Sequence, residues 1–460
     1  AYFILATGSV GTTDANVTAT IQNVSGGWYR CVVTRTTGTG ATAARQRIYA
    51  TNADNALSTG DGTSGIYIWG AQLEQSSTVG EYIPTTSTIN SAPRFDHNPT
   101  TGESLGLLVE EQRTNSVRNN TMVGAVAGTP GTNPTNWGYV TTQSNGLTQT
   151  IVGTGTENGI NYIDYRFNGT TVASPNAIAF GIEGIAGVAT TGQTWTGAVY
   201  LRLANGTLTG VNSTQIGLIE STSGGSFVGG ALYTISPPTS AALISQRATA
   251  TRILSGGATV GICALTLSIN VVGSTAMDFT IRIGMPQLEQ GAFATSVIPT
   301  TTATVTRSAD VASISGSNFS SWYRQDEGTF FGSFNPTKGN VLFGVGNTFN
   351  DTAYVTNFAS NNVSIRSNNL QSALISAAVS TTAITNLAFG LQQNNFAACS
   401  NGGSLSIDTS GDVPASQVRL TFGQSSWLPA DGTNNINGTI RRITYWPTRL
   451  PNSTLQQITR

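Results

Sequence analysis

The chain has 460 residues, of which 9% are charged and 38% hydrophobic, with a formal net charge of −1. Soluble domains usually carry roughly 25% charged residues; here Gly, Thr, Ser and Asn take up the difference. Disorder calls for few apolar residues with strong net charge, and nucleic-acid binding calls for a clustered basic face. Twenty scattered Arg and the single Lys338 speak against both.

No apolar run approaches the roughly 20 residues that cross a bilayer, so no membrane insertion is expected. The opening Ala1-Tyr-Phe-Ile-Leu-Ala6 lacks the basic and apolar regions of a signal peptide, and the missing initiator Met suggests missing upstream sequence. Cys31, Cys263 and Cys399 are far apart, with no CxxC and no His partner. That is neither a disulfide framework nor a zinc site; three small apolar side chains buried in strands are expected. Length alone predicts two to four domains.

In chain order, residues 1–90 introduce a phrase that returns. Ile66-Tyr-Ile-Trp-Gly-Ala-Gln-Leu-Glu-Gln75 and Ile83-Pro-Thr-Thr86 reappear as Ile281-Arg-Ile-Gly-Met-Pro-Gln-Leu-Glu-Gln290 and Ile298-Pro-Thr-Thr301, 215 positions later without a gap. Tyr29–Arg35 matches Gln246–Arg252 more loosely, displaced by two further residues. Similarity at a fixed distance marks a duplicated module. The first copy covers only the second half of it. Either upstream residues or a neighbouring subunit would supply the other half, and an N-terminal region beyond residue 1 is the preferred expectation.

Residues 91–115 read as a β connector, with a turn over Pro99–Gly102 and a strand over Leu105–Val109. Residues 116–306 hold the complete module. Ile160–Phe167, Thr194–Arg202 and Phe279–Ile283 alternate with period two, as half-buried strands do, and Ser223-Gly-Gly225 punctuates them. A β-sandwich or jelly roll is predicted. Residues 307–460 form a further β-domain, with strands around Thr329–Phe334, Val341–Val345, Leu387–Leu391, Val418–Phe422 and Gly438–Trp446. A short closing helix capped by Asn452 or Ser453 is expected. The predicted fold class is all-β: serial β-sandwich or jelly-roll domains, then a C-terminal sandwich.

The repeated Gln-Leu-Glu and Ile-Pro-Thr-Thr segments resemble the end of carbohydrate-binding-module-like jelly rolls common in phage virion proteins. Arg94-Phe-Asp96, Gly106-Leu-Leu-Val-Glu110 and Arg113-Thr-Asn115 are similar to a phrase found in phage tail, fibre and minor structural proteins. Glu327-Gly-Thr-Phe-Phe331, Phe396–Gly403 and Gly438–Ile443 resemble concanavalin A-like sandwiches of the laminin-G type. The resemblance implies a virion-exterior appendage, usually homotrimeric, joined to other virion proteins. A tail fibre or receptor-binding protein touching host-surface polysaccharide is the first expectation. A capsid-attached fibre or head decoration protein is the second, and a bacterial lectin-like adhesin or a polysaccharide depolymerase the third.

Catalytic groups are scarce. His97 is the only histidine and lies in the connector, and no G-x-S-x-G elbow surrounds any Ser. Glu74 and Glu289 recur in the duplicated strand, which favours a structural carboxylate over one of the facing pair that glycoside hydrolysis needs. No enzyme activity and no cofactor are expected. The one calcium option is the loop group Asp431, Asn434 and Asn435, since Ca²⁺ takes oxygen ligands and concanavalin A-like relatives sometimes hold it. Sugar contact remains, through aromatic faces beside hydroxyl-bonding side chains. Tyr67 and Trp69 are favoured because the aligned Arg282 and Gly284 show that the fold does not require aromatics there; Trp427 and Trp446 are the C-terminal candidates.

Overall fold

The computed structural model describes residues 1–37, 46–51, 53–55, 65–74, 79, 93–138, 140–141, 145–185, 187–257, 260–337, 341–348, 351–356, 362–368, 370–376, 378–380, 383–424 and 435–460. The chain divides into two compact units, Ala1–Pro93 and Arg94–Arg460. The protein is all-β, built of antiparallel sheets.

In the first unit, the β-branched alternation of Val17–Asn23 and Tyr29–Arg35 produces a hairpin running from Val17 opposite Arg35 to Asn23 opposite Tyr29. Ser25, Gly26 and Gly27 turn the chain with positive φ, and the Asn23 side chain accepts the Ser25 N–H at 2.8 Å. Phe3–Ile4 pairs with Ser9–Val10. Asp54, in a Gly/Asn-rich loop, accepts the Thr12 N–H and hydroxyl at 2.9 Å each. The expected strand over Ile66–Gln75 is not formed within its described part, Ile66–Glu74. The expectation took the repeat as sufficient, whereas a strand also needs neighbours to pair with.

The second unit begins with the jelly roll. One five-stranded sheet orders Arg247–Ile253, Thr194–Gly206, Ala276–Gln290, Ile160–Thr170 and Leu147–Glu157. The facing sheet orders Phe227–Ile235, Val211–Ser221, Ile262–Val271, Ile178–Glu183 and Val140–Thr141. Period-two patterning sends Ile163, Tyr165 and Phe167 inward, while Arg166 between them pairs outside with Asp278. Tyr165 and Phe167 meet Phe180 of the other sheet edge-on, at 5.2 and 6.0 Å between ring centroids. That geometry suits the ring quadrupoles.

The C-terminal sandwich stacks a six-stranded and a seven-stranded antiparallel sheet. Phe330, Phe334, Phe343 and Phe389 fill the space between them with fully buried rings. The connector forms a hairpin, and this hairpin joins the C-terminal sandwich. Phe95–His97 and Ser104–Val109 pair with each other, and Ser104–Val109 then pairs with Gly438–Trp446, so both become the edge of the seven-stranded sheet. Val109 lies in the sandwich core. Gly106 makes this approach possible: a Cβ there would stand 2.3 Å from the Ile440 carbonyl oxygen, and its φ is +106°.

The closing helix spans Asn452–Ile458, but its N-cap is Pro451, without a side-chain hydrogen bond. Asn452 was expected to cap; its side-chain oxygen instead accepts from the Arg449 guanidinium at 2.6 Å. Leu455 anchors the helix on Phe331, Ala388, Ala397 and Cys399. All three cysteines lie in strands and are free, yet Cys31 is exposed, contrary to expectation. Its strand belongs to the two-stranded hairpin, which has no facing sheet among the described residues.

Candidate functional site

Many of the motif residues converge where the jelly roll meets the C-terminal sandwich. Arg94 donates to the Glu110 carboxylate at 2.8 Å, to the Ser296 hydroxyl at 2.6 Å and to Asp310 at 3.3 Å. Glu110 also accepts the Ser296 N–H at 2.8 Å and faces Arg307 at 3.1 Å. Asp310 accepts the Glu110 N–H at 2.7 Å. Ser296 belongs to the jelly roll, Arg94 and Glu110 to the former connector, and Asp310 to the start of the C-terminal sandwich. Burial pushes the Glu110 carboxyl upward, but Arg307, the two Ser296 donors and Arg94 outweigh it and hold the group below its ordinary value.

A second layer locks the chain ends of the jelly roll. Asn115 donates to the Ile298 carbonyl at 2.9 Å and accepts the Leu288 N–H at 3.1 Å. Gln287 accepts the Ile298 N–H at 2.8 Å and donates to Glu289 at 2.7 Å; Glu289 in turn accepts the Thr295 N–H at 2.9 Å. Gln287 and Glu289 are fully buried. The duplicated Gln-Leu-Glu therefore fixes the chain that follows its strand in the second module, its polar atoms bound to the Ile298 and Thr295 N–H groups, the Thr295 hydroxyl and each other.

Other buried acids are held in the same way. Glu183 receives both a side nitrogen and a terminal nitrogen of Arg118 at 3.0 Å. Glu220 is bound by Arg252 and by the N–H groups of Ser255 and Gly256. Glu157 is shared by Arg202 and Arg282. Their donors hold the Glu220 and Glu157 carboxyls below the ordinary carboxylate value, the opposite of the raised pKa that a general acid needs.

Tyr67 and Trp69 are 93% and 73% exposed, on an irregular stretch of the first unit. Trp446 is half-buried and packs on the Phe331–Leu455 cluster. Trp427, Asp431 and Asn434 lie outside the described residues. Asn435 is buried, and its amide donates to the Glu110 and Asp310 carbonyls at 3.0 and 2.9 Å, so it braces the junction. His97 is exposed on the sheet edge. Among the described residues no group of three or more His, Cys, Asp or Glu could hold a metal ion.

One feature escaped sequence reasoning. A cleft of about 750 Å³ opens beside the junction, lined by Glu111, Arg113, Thr194, Trp195, Gln290 and Phe293 among others. Arg113 pairs with Glu111 and stands over the Phe293 ring, 4.9 Å from its centroid. Its buried Nε has no hydrogen-bond partner. Gly291, with φ +146°, leaves room for that guanidinium, since any Cβ would collide with it. Arg113 was legible as part of a motif; Phe293, in the bend after Gln290, and Trp195, on the strand Thr194–Gly206, line the same cleft from distant places in the chain and carried no signal.

No family model and no curated protein matches the chain. Among solved structures, it is similar to mouse laminin alpha1 chain domains LG4-5 at 9% identity, covering 59% of this chain and 91% of that one, with a TM-score of 0.22.

Proposed function

We propose that the protein is a structural and adhesive component of a bacteriophage virion exterior, a tail fibre or receptor-binding appendage that contacts host-surface glycans. The observation that supports this reading most is the junction itself. Of the phage-like phrase, Arg94 and Glu110 are engaged in fastening one sandwich to the next through Ser296 and Asp310, and Asn115 locks the chain ends of the jelly roll beside them. A motif used for a stiff joint suits a protein that transmits force and spacing. The arginine-bound acids further favour a role without catalysis.

In this reading the sandwiches are spacers, the chain assembles as a homotrimer with other virion proteins, and the C-terminal domain is of concanavalin A-like type. Glycan contact is assigned to Tyr67 and Trp69, whose exposed rings can stack on sugar faces. A capsid-attached fibre is the second form of the same proposal.

Gold-labelled antibody on intact particles should decorate an external appendage. Absence from the particle would end the virion assignment. On a glycan array the intact oligomer should bind a restricted set of sugars, and Trp69→Ala should weaken that binding at least tenfold. A monomer by light scattering at micromolar concentration would refute the trimer.

A further inference from the structure

Glu289 differs from the arginine-bound acids in what it holds. Its Oε1 accepts the Thr295 hydroxyl at 2.5 Å, and its Oε2 accepts the Thr295 N–H at 2.9 Å and the Gln287 amide at 2.7 Å. All three donors are neutral. Gln287 and Glu289 are 0% exposed and Thr295 is 1% exposed, so a carboxylate, a hydroxyl and an amide meet away from water.

The partners settle which way round the Gln287 amide lies. Its oxygen accepts the Ile298 N–H at 2.8 Å. Its nitrogen faces acceptors: Glu289, the Thr295 carbonyl at 3.4 Å and the Ser296 carbonyl at 3.3 Å. An N–H on the amide oxygen draws electron density from the amide carbon, as an oxyanion-hole donor does. A carboxylate on the hydroxyl is a base placed on a nucleophile, and the same carboxylate touches the nitrogen that can leave.

We infer that these three residues form an intramolecular ester between the Thr295 hydroxyl and the Gln287 side chain, with Glu289 carrying the proton. Thr295 Oγ1 attacks Gln287 Cδ and gives its proton to Glu289. The new Oγ1–Cδ bond makes a tetrahedral intermediate whose oxyanion rests on the Ile298 N–H. Glu289 passes the proton to the amide nitrogen, the Cδ–Nε2 bond breaks, and ammonia leaves. One amide and one alcohol become one ester and one ammonia, and nothing is oxidised or reduced. Binding both reactants to one carboxylate supplies the proximity that the step needs. Exclusion of water then protects the ester from hydrolysis. Each chain reacts once, so this is self-modification without turnover.

The ester ties the end of Ala276–Gln290 to the segment that enters the clasp. Ser296, next to Thr295, gives its N–H and its hydroxyl to Glu110. A covalent bond there carries load that the hydrogen bonds at the joint would otherwise bear. The first copy of the repeat keeps Gln72 and Glu74 but has Gly80 at the place of Thr295. One ester per chain is therefore expected. The chemistry is the same whatever the protein touches.

The test is mass spectrometry of the full chain. The intact mass should fall short of the sequence mass by one ammonia. Chymotrypsin digestion of the denatured chain, which cuts after Phe293, should leave the peptides bearing Gln287 and Thr295 joined, and alkali should part them. Thr295→Val and Glu289→Gln should each restore the sequence mass. Thr295→Ser, which keeps a hydroxyl, should lose ammonia again. A wild-type chain whose two peptides separate without alkali overturns the inference, and that result needs no variant to fold. So does an ammonia loss that maps elsewhere, such as to an Asn-Gly pair, with Gln287 intact. A crosslink that persists in Glu289→Gln overturns the part given to Glu289.

Discussion

Arg94 and Asp310 lie 216 residues apart in the chain, yet the guanidinium of one is clasped on the carboxylate of the other through two nitrogens. Between them the chain builds the whole jelly roll, so this pair closes the loop from which that module hangs. Glu110 and Ser296 complete the clasp. Paired charges at a partly dry junction do not by themselves guarantee a large net gain, but removing one partner leaves the others uncompensated.

Glu110→Ala is therefore expected to cost about 3 kcal/mol, because it strands Arg94 and Arg307 beside a buried cavity. Urea unfolding followed by tryptophan fluorescence should show a lower midpoint. The double variant with Arg94→Ala should cost less than the sum of the singles, as coupled residues do. Strict additivity would mean that the clasp does not act as a unit.

Acid should unfasten the same joint. The Glu110 carboxyl in the folded protein sits below its ordinary value of 4.5, and Glu157 and Glu220 are shifted in the same direction. For Glu157, burial works upward while the Leu243 N–H and two arginines work downward more strongly. For Glu220, the Gly256 and Ser255 N–H groups and Arg252 likewise outweigh burial. A depressed folded pKa means that the unfolded chain takes up protons first as pH falls. The stabilisation is thus fully present above about pH 4.5 and is lost as pH drops through the folded values. The urea midpoint should be level from pH 8 to pH 5 and fall below that. Glu110→Gln should flatten the fall; an unchanged slope would remove Glu110 from the account.

Much of the fold could be read from residue order because strand alternation is a local property. Ile160–Thr170 and Thr194–Gly206 lie where period two put them, and the jelly roll follows from a repeat visible without coordinates. The site was far less legible. Ser296 reaches Glu110 over 186 residues and Asn435 reaches it over 325, and no local pattern encodes such a meeting. Trp446 packs on a cluster that includes Leu455 of the terminal helix, and composition cannot reveal that contact either. The segment Ile66–Glu74 failed as a strand for a related reason: its propensity is intact, but β-structure is stabilised by neighbours.

The contrast between the two copies can be measured directly. Ile283→Ala should cost about 2–5 kcal/mol, since it empties a fully enclosed site in the jelly-roll core. The same change at its repeat partner, Ile68→Ala, should stay within about 0.5 kcal/mol, as exposed substitutions usually do. Parallel urea curves of the two variants decide it. A cost at Ile68 equal to that at Ile283 would mean that the first copy already has a closed core of its own.

Thiol reactivity separates the same regions. Burial, with some help from the Glu220 charge, pushes the Cys263 thiol up to about 12, and Cys399 is equally enclosed. Cys263 should form no thiolate in the native protein, and the thiolate is the reactive species; Cys399 is closed to a reagent by its burial. Cys31 is exposed, although burial of part of its side chain raises its pKa somewhat. A chromogenic disulfide reagent at pH 8 should titrate one thiol per chain in buffer and three in denaturant. Two or three native thiols reacting would show that a sandwich core opens.

Gly106 offers the sharpest single-atom test of how the former connector is held. With a φ of +106° and the Ile440 carbonyl oxygen 2.3 Å from any added Cβ, alanine meets backbone strain and a collision that no rotamer can relieve. Gly106→Ala should therefore peel Ser104–Val109 away from Gly438–Trp446 and withdraw Val109 from the sandwich core. Glu110 follows immediately in the chain, so the clasp to Arg94 and Asp310 should loosen with it. Hydrogen exchange would register faster amides in both strands, and the urea midpoint should fall by the equivalent of about 2–4 kcal/mol, combining strain with lost packing. Gly102→Ala is the matched control: its φ is also positive, at +72°, but nothing stands within 4 Å of the added methyl. If the two variants behave alike, backbone strain accounts for the effect and the close approach to Ile440 contributes nothing.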